Sequence, residues 1–378
     1  MISANNGTRT ATRLDLVIGT RPNIIKAGPL FDALRRESWC EPRIVFLMQH
    51  TDPVLAAQSL EDVGINADSV VALALRETDN GRRLGEMLSA YTSRLAQDRP
   101  HLVLVFGDVD TTLAAAYAAK RSHIPVAHVE AGLRSYDRSM PEELNRLMVD
   151  AICDLHLATS RDAVRNLVTR EGHAQSHVHF VGNLMIDALL STADRTLGEA
   201  LCAKYSVQPS AFALATFHRP SNVDNLDSLR TLVEVMRSAA SRLPVLWPVH
   251  PRTRAALDQH DLSHELESIA GLKLLPPLRY REFVSLLAAT RVALTDSGGL
   301  QEETSVLGIP CLTLRANTER PVTVEQGSNV LVEPASFDAV LDATLSRPMP
   351  AGAEIEGWDG NAADRIVVAI RQWLATSG

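Results

Sequence analysis

The chain has 378 residues, 46% of them hydrophobic and 22% charged, which suits an ordinary globular protein of roughly two domains. Its formal net charge of -8 excludes a general nucleic-acid-binding surface, though not a local basic pocket for phosphate. No segment offers the roughly 20 apolar residues of a membrane span, and residues 1–13 are polar with no apolar signal core.

Taken in order, apolar strands alternate with amphipathic helices. Residues 14–18 predict a first strand, the turn Gly19-Thr20-Arg21-Pro22 follows, and a helix runs over 23–36. A strand at 43–48 comes next. The continuous apolar run 102–106 has the character of a strand buried on both faces. It ends in Gly107-Asp108 and leads into an alanine-rich helix at 111–120. Strands at 125–129, 155–159 and 179–181 continue the series, the first of them ending at Glu130-Ala131-Gly132. After a crossover over 182–210 the pattern restarts. A strand at 212–216, a helix at 226–241, strands at 244–249 and 272–274, a helix at 281–289 and strands at 291–295 and 311–314 form a second set. A last helix, 362–375, could pack on either set. Repeated β-α order predicts the α/β class, with two Rossmann-like doubly wound domains facing each other across a cleft.

Cys40, Cys153, Cys202 and Cys311 lie far apart, with neither metal-ligand spacing nor a disulfide framework, and three of them sit in apolar runs. That usage fits a reducing cytoplasm.

Ligands of open α/β sheets sit outside the carboxyl ends of strands, and the polar residues worth weighing lie there. The most informative stretch is Asp296-Ser297-Gly298-Gly299-Leu300-Gln301-Glu302-Glu303. A strand, then Ser-Gly-Gly, then a helix start makes a phosphate-binding device: the glycines admit the anion and the helix amino end attracts it. The plainer alternative is a polar helix start with a tight turn. The two carboxylates one turn on make sense if they reach past a phosphate to hydroxyl groups such as those of a ribose. Arg21 and Lys26 place two cations near a helix amino end, against its dipole. A bound phosphate offsets that, and two solvated charges are the alternative. Asp108, Glu130 and Glu142 end strands or open a helix. They form either a carboxylate cluster with raised or split pKa values, suited to acid/base work, or an ion network with Arg134 and Arg146. Helix capping also accounts for Asp108, and the helix dipole for at least one of Glu142 and Glu143. His218-Arg219 and His250 follow strands, and Arg320 offers a second anion clamp.

Taken together and in order, these residues resemble the UDP-N-acetylglucosamine 2-epimerase family, its non-hydrolysing branch in particular. The matching segments are Gly19-Thr20-Arg21-Pro22 with Lys26, Gly107-Asp108, residues 128–134, Pro141-Glu142-Glu143 with Asn145-Arg146, and Gly182-Asn183. His218-Arg219, Pro248-Val249-His250-Pro251, residues 295–303 and residues 318–321 complete the set. The resemblance implies a glycosyltransferase-B-type fold, with a first domain of residues 1–180 plus the C-terminal helix 362–378 and a UDP-binding domain of residues 181–361. It implies a homodimer that takes a UDP-sugar and uses no cofactor or metal, alongside the cytoplasmic setting and the absence of nucleic-acid or membrane partners expected from cysteine usage, charge and hydropathy. By the same resemblance Ser297, Gly298 and Gly299 bind the diphosphate, Glu303 the ribose hydroxyls, and Phe283 lies near the uracil. Arg21, Lys26 and Arg320 neutralise phosphate, and Asp108, Glu130, Glu142 and His218 are the catalytic set. The family's reaction eliminates UDP across C1–C2 to a 2-acetamidoglycal and adds it back after protonation on the opposite face of C2.

The chain departs from the family at several positions. Asn23 and Ser221 stand where Glu is usual, and Leu47-Met48-Gln49-His50 where bacterial members often have Thr-Gly-Gln-His. With Thr51-Asp52-Pro53 following, regulation by a second UDP-sugar molecule is not expected to be preserved. Loss of two acids points toward a different or more anionic sugar. Rival readings are a hydrolysing epimerase that releases UDP and free N-acetylmannosamine, a glycosyltransferase of the same fold, and a nucleotide-sugar binder without turnover.

Overall fold

The structure is a computed structural model that describes residues 11–48 and 53–376. Gln49, His50, Thr51 and Asp52, to which the expected change in regulation is tied, lie outside the described residues. The chain divides into two compact units, Met1–Leu184 with Gly360–Gly378, and Met185–Asp359.

The first unit is built on a parallel sheet of β1 (Thr12–Ile18), β2 (Cys40–Met48), β3 (Val70–Ala74), β4 (Leu102–Phe106), β5 (Val126–Ala131), β6 (Leu155–Ala158) and β7 (Val178–Phe180). Its order is β3-β2-β1-β4-β5-β6-β7. At the centre, Leu16 lies opposite both Ile44 and Leu104. Strand alternation sorts the side chains into two cores. Leu14, Leu16, Ile18, Leu104 and Phe106 face one, while Val17, Val103 and Val105 face the other. Helices cover both faces, so β4 is buried along its whole length and reads as an unbroken apolar run. Site residues are carried by α1 (Arg21–Arg35), α2 (Asp110–Arg121) and α3 (Pro141–Ile152).

The second unit holds β8 (Ala213–Thr216), β9 (Val245–Pro248), β10 (Leu272–Leu275), β11 (Val292–Thr295), β12 (Cys311–Thr313) and β13 (Asn329–Leu331), in the order β10-β9-β8-β11-β12-β13. Its core is anchored by the fully buried Trp247, whose ring meets Phe217 edge-on at 5.9 Å. Helix α4 (Gly298–Leu307) follows β11. The last helix, α5 (Ala362–Thr376), returns to the first unit. Its Ile366, Val367 and Ile370 enter the core that also holds Leu30, Phe31 and Leu34 of α1, and Arg365 Nε donates to the Val181 carbonyl at 2.7 Å.

Two further strands are short apolar runs at the sheet edges, Val70–Ala74 and Asn329–Leu331. β3 sits at a sheet edge, with no residue fully buried. β13 is three residues long and begins with Asn329, so the strand at 311–314 is not the last one. In both sheets the strand order reverses next to the first strand, between β1 and β4 and between β8 and β11. The turns after these strands border the crevice where doubly wound sheets take ligands. Among the described residues no helix is long and apolar enough to cross a membrane. All four cysteines are free, and Cys40, Cys202 and Cys311 are buried.

Candidate active site

In the first unit, Gly107 turns the chain out of β4 with φ +65°. Glycine suits that conformation, and it also leaves room: a Cβ there would lie 3.3 Å from Glu130 Oε2 and 3.6 Å from Lys26 Nζ. Glu130 has φ +73°, an uncommon value for a residue with a side chain. The pairing of β5 with β6 shifts register between Val129 and Ala131, so Glu130 sits on a bulge. Bulges re-aim side chains beside active sites. Here the result is an ion pair between Glu130 and Lys26, with side chains only 9% and 13% exposed.

Asp108, one residue beyond Gly107, is ion-paired with Arg146 of α3. Arg146 also donates to Glu143 Oε2 at 3.1 Å. Asn145 Nδ2 holds the Asp108 carbonyl at 2.9 Å and Asp110 Oδ1 at 3.2 Å. Of the two acids after Pro141, Glu143 is the fixed one: it accepts from Ser135 N at 2.8 Å, Ser135 Oγ at 3.0 Å and Tyr136 N at 3.0 Å. Glu142 stands half-buried beside it in the first turn. Of the ion network expected for the three acids, part is present. Asp108 does join an ion network with Arg146, but Arg134 is taken instead by Asp150 and Glu171. Lys26 finds its counter-charge in Glu130, without needing a phosphate. Arg21 opens α1 half-buried. Asn23, 3% exposed, donates to the Phe106 carbonyl at 3.2 Å and accepts from Thr20 Oγ1 at 3.0 Å, tying the start of α1 to the end of β4.

In the second unit, Ser297 precedes α4, and Gly298 and Gly299 are its first two residues. A Cβ on Gly298 would lie 2.6 Å from Arg320 Nη1, whereas nothing stands within 4 Å of one on Gly299. The Arg320 guanidinium is therefore seated on the helix amino end. Its Nε donates to Glu302 Oε1 at 2.7 Å, and its Nη1 is 3.0 Å from Glu319 Oε1. Glu319 also gathers Arg219 at 3.2 Å and Arg315 at 2.9 Å. Burial opposes its charge, but Arg320, Arg315 and Arg219 outweigh that and hold the carboxyl well below the usual range. Glu303 goes the other way. Burial pushes it up to about 8, and Glu302 adds to the rise, against a 2.9 Å hydrogen bond from the Tyr280 hydroxyl. The two acids one turn into α4 therefore do little to repel an anion at neutral pH: Arg320 neutralises Glu302, and Glu303 keeps its proton. Phe283 is half-buried against an apolar cluster that includes Leu278, Leu286 and Leu300.

After β8, the fully buried Asp296 fixes the turn that carries His218. It accepts the backbone N–H of His218 at 3.1 Å and of Arg219 at 3.0 Å, and Asn222 Nδ2 at 3.0 Å. The His218 side chain is 37% exposed, with Nδ1 3.5 Å from Asp296 Oδ1. Its ring lies 5.4 Å from that of His250. Desolvation lowers its pKa, helped by Arg219 and Arg252 and opposed by Asp296.

Several members of these constellations are invisible to a reading by strand ends. Tyr280 matters only because folding brings it to Glu303, and Glu319, beside Arg320 in the chain, gains Arg219 only on folding. Asp296 carried a usable signal, an acid directly after an apolar strand and before the Ser-Gly-Gly turn.

Residues 32–371 match the family described as UDP-N-acetylglucosamine 2-epimerase. A UDP-N-acetylglucosamine 2-epimerase of Methanocaldococcus jannaschii is 37% identical, over 85% of this chain and 88% of that protein. A UDP-2,3-diacetamido-2,3-dideoxy-D-glucuronate 2-epimerase of Pseudomonas aeruginosa is 34% identical, over 93% and 97% of the two chains. Among solved structures, the M. jannaschii UDP-GlcNAc 2-epimerase in complex with UDP-GlcNAc and UDP superposes with a TM-score of 0.85 at 33% identity, covering 96% of this chain and 100% of that one. The two parallel sheets constitute a glycosyltransferase-B-like fold.

Proposed function

The chain belongs to the UDP-N-acetylglucosamine 2-epimerase family and is a UDP-sugar 2-epimerase, and we propose that it interconverts UDP-N-acetylglucosamine and UDP-N-acetylmannosamine without net hydrolysis. The observation that carries this reading is the pair of carboxylates at adjoining strand ends. Glu130 is aimed by a bulge and set on Lys26, and Asp108 is set on Arg146. One carboxylate takes the proton from C2 as the C1–O bond to UDP breaks, which leaves a 2-acetamidoglycal and UDP. Protonation at the other face of C2 and re-formation of the C1–O bond give the epimer. We assign Glu130 and Asp108 to this exchange, with Glu142 supporting the base.

The departing UDP gains negative charge and needs fixed positive groups. Ser297, Gly298 and Gly299 at the amino end of α4 hold the diphosphate, and Arg21, Lys26, Arg320 and His218 offset its charge. Glu303, protonated in the free protein, meets the ribose hydroxyls, and Phe283 lies near the uracil. The working unit is a homodimer, for which the exposed Tyr117, Leu144 and Met148 of α2 and α3 are available.

A second reading concerns the sugar alone. The similarity to an epimerase of a diacetamido-glucuronate, with Asn23 and Ser221 where acids are usual, favours a more anionic UDP-sugar. Proton NMR in heavy water decides. UDP-ManNAc formed from UDP-GlcNAc with deuterium at C2 and little free UDP is the expected result. Free ManNAc with stoichiometric UDP moves the protein to the hydrolysing branch. Faster turnover of a UDP-uronic acid in the same assay replaces the substrate.

A further inference from the structure

Beneath the turns that carry Asp108 and Glu130 lies a buried ion pair that no step above uses. His128 of β5 and Asp150 of α3 are both 0% exposed. His128 Nδ1 is 2.6 Å from Asp150 Oδ1, and its Nε2 is 2.7 Å from the Gly107 carbonyl oxygen. A carbonyl only accepts, and burial of Asp150 is outweighed by His128 and then Arg134, which hold its carboxyl well below the usual range. The ring therefore serves both partners only when both nitrogens carry protons. The second Asp150 oxygen accepts the Gly132 amide at 3.1 Å and Arg134 Nη2 at 2.6 Å. Arg134 continues outward to Glu171 through two bonds of 2.7 Å.

This pair touches every element that presents a catalytic carboxylate. Gly107 precedes Asp108, Gly132 lies two residues past Glu130, and α3 carries Glu142 and the Arg146 partner of Asp108. A buried ion pair is a poor device for stability alone, since well-packed apolar side chains often serve as well or better. What it offers is register. It fixes a carbonyl in one turn and an amide in the next against a single helix.

We propose that the His128–Asp150 pair is a positioning device that sets the spacing between the Asp108 and Glu130 turns and thereby the rate of proton exchange at C2 of the sugar. The proposal rests on the UDP-sugar epimerase reading. A displacement of about 1 Å far from the chemistry can cost on the order of 100-fold. His128→Gln retains at most one of the two bonds, and Asp150→Asn loses the charge. Each is expected to lower kcat by roughly 10- to 100-fold while KM for UDP-GlcNAc stays within about threefold. Rates are normalised to UDP-binding sites counted by calorimetry, so misfolded molecules drop out. A purely structural role would lower the number of sites and the Tm but leave kcat per site unchanged, and that result overturns the proposal. If neither variant folds, Glu171→Gln loosens the outermost member of the network. It is expected to lower kcat per site by about threefold, and no change overturns the proposal equally. A wild-type protein that binds UDP but exchanges no C2 hydrogen removes the epimerase reading itself. Active wild type with unaffected variants removes only the positioning role.

Discussion

Glu303 is a carboxylic acid that keeps its proton at neutral pH because burial raises its pKa from 4.5 to about 8. The folded-state value lies above the unfolded one, so the folded chain binds more protons between these limits. The group's contribution to stability is therefore lost as pH rises from about 4.5 to about 8. Glu303→Gln keeps an acceptor for the Tyr280 hydroxyl and removes the titration. Melting of variant and wild type at pH 5 and pH 9 is expected to show the variant gaining by up to a few kcal/mol at the higher pH only. A difference that does not vary with pH would mean that Glu303 ionises normally. The same change should weaken UDP binding if the ribose hydroxyls meet this side chain. At this scale the sequence offered the residue and its neighbours in the motif, but not its protonation state. That depends on burial in the folded chain, which outweighs the opposing hydrogen bond from Tyr280, 23 positions away.

At the level of elements, the amino end of α4 separates two neighbouring glycines. Gly298 lies against Arg320, and Gly299 faces open space. Gly298→Ala must displace the Arg320 guanidinium and so disturb its contacts with Glu302 and Glu319. We expect UDP affinity to fall by about tenfold, the size of one lost charge-assisted contact. Gly299→Ala clashes with nothing in the protein. It should leave Tm unchanged or slightly higher, since alanine favours helix by up to about 1 kcal/mol. Calorimetry with UDP and thermal melts on both variants check this. A Gly299→Ala protein that melts well below wild type would contradict the open environment described here. The strand-turn-helix unit itself was legible, because an apolar run, Ser-Gly-Gly and a helix start occupy consecutive positions. The seat of Arg320 on Gly298 was not, because it joins residues 22 positions apart.

For the molecule as a whole, the homodimer reading concerns a surface of the first unit. Tyr117, Leu144 and Met148 are 47%, 43% and 45% exposed, on two helices that pack side by side. The wild-type chain is expected to sediment as a dimer at micromolar concentration, and Leu144→Asp with Met148→Asp as a monomer. A wild-type monomer removes the dimer. A variant that stays dimeric moves the interface elsewhere. The last helix shows another long-range effect. Its own residues leave open which domain it packs on, the family resemblance expects it in the first, and the contacts of Ile366 and Ile370 with α1 place it there.

The sequence by itself determined the α/β class, the restart of the pattern after residue 210, the strand ends where ligands gather and the motif set that marks the family. Each of these is written in adjacent or periodically spaced residues, where hydrophobic period and turn chemistry act directly. The tertiary structure decided which charges meet. It placed Glu130 on Lys26 through a bulge, gave Arg134 to Asp150 and Glu171, and set Glu143 as the fixed acid, leaving Glu142 beside it. It also paired β3 with β2 and β13 with β12 at the sheet edges, since a short apolar run does not by itself name its neighbouring strand. Side-chain electrostatics depend on burial and on distances of a few ångströms, and those exist only once distant segments have been brought together.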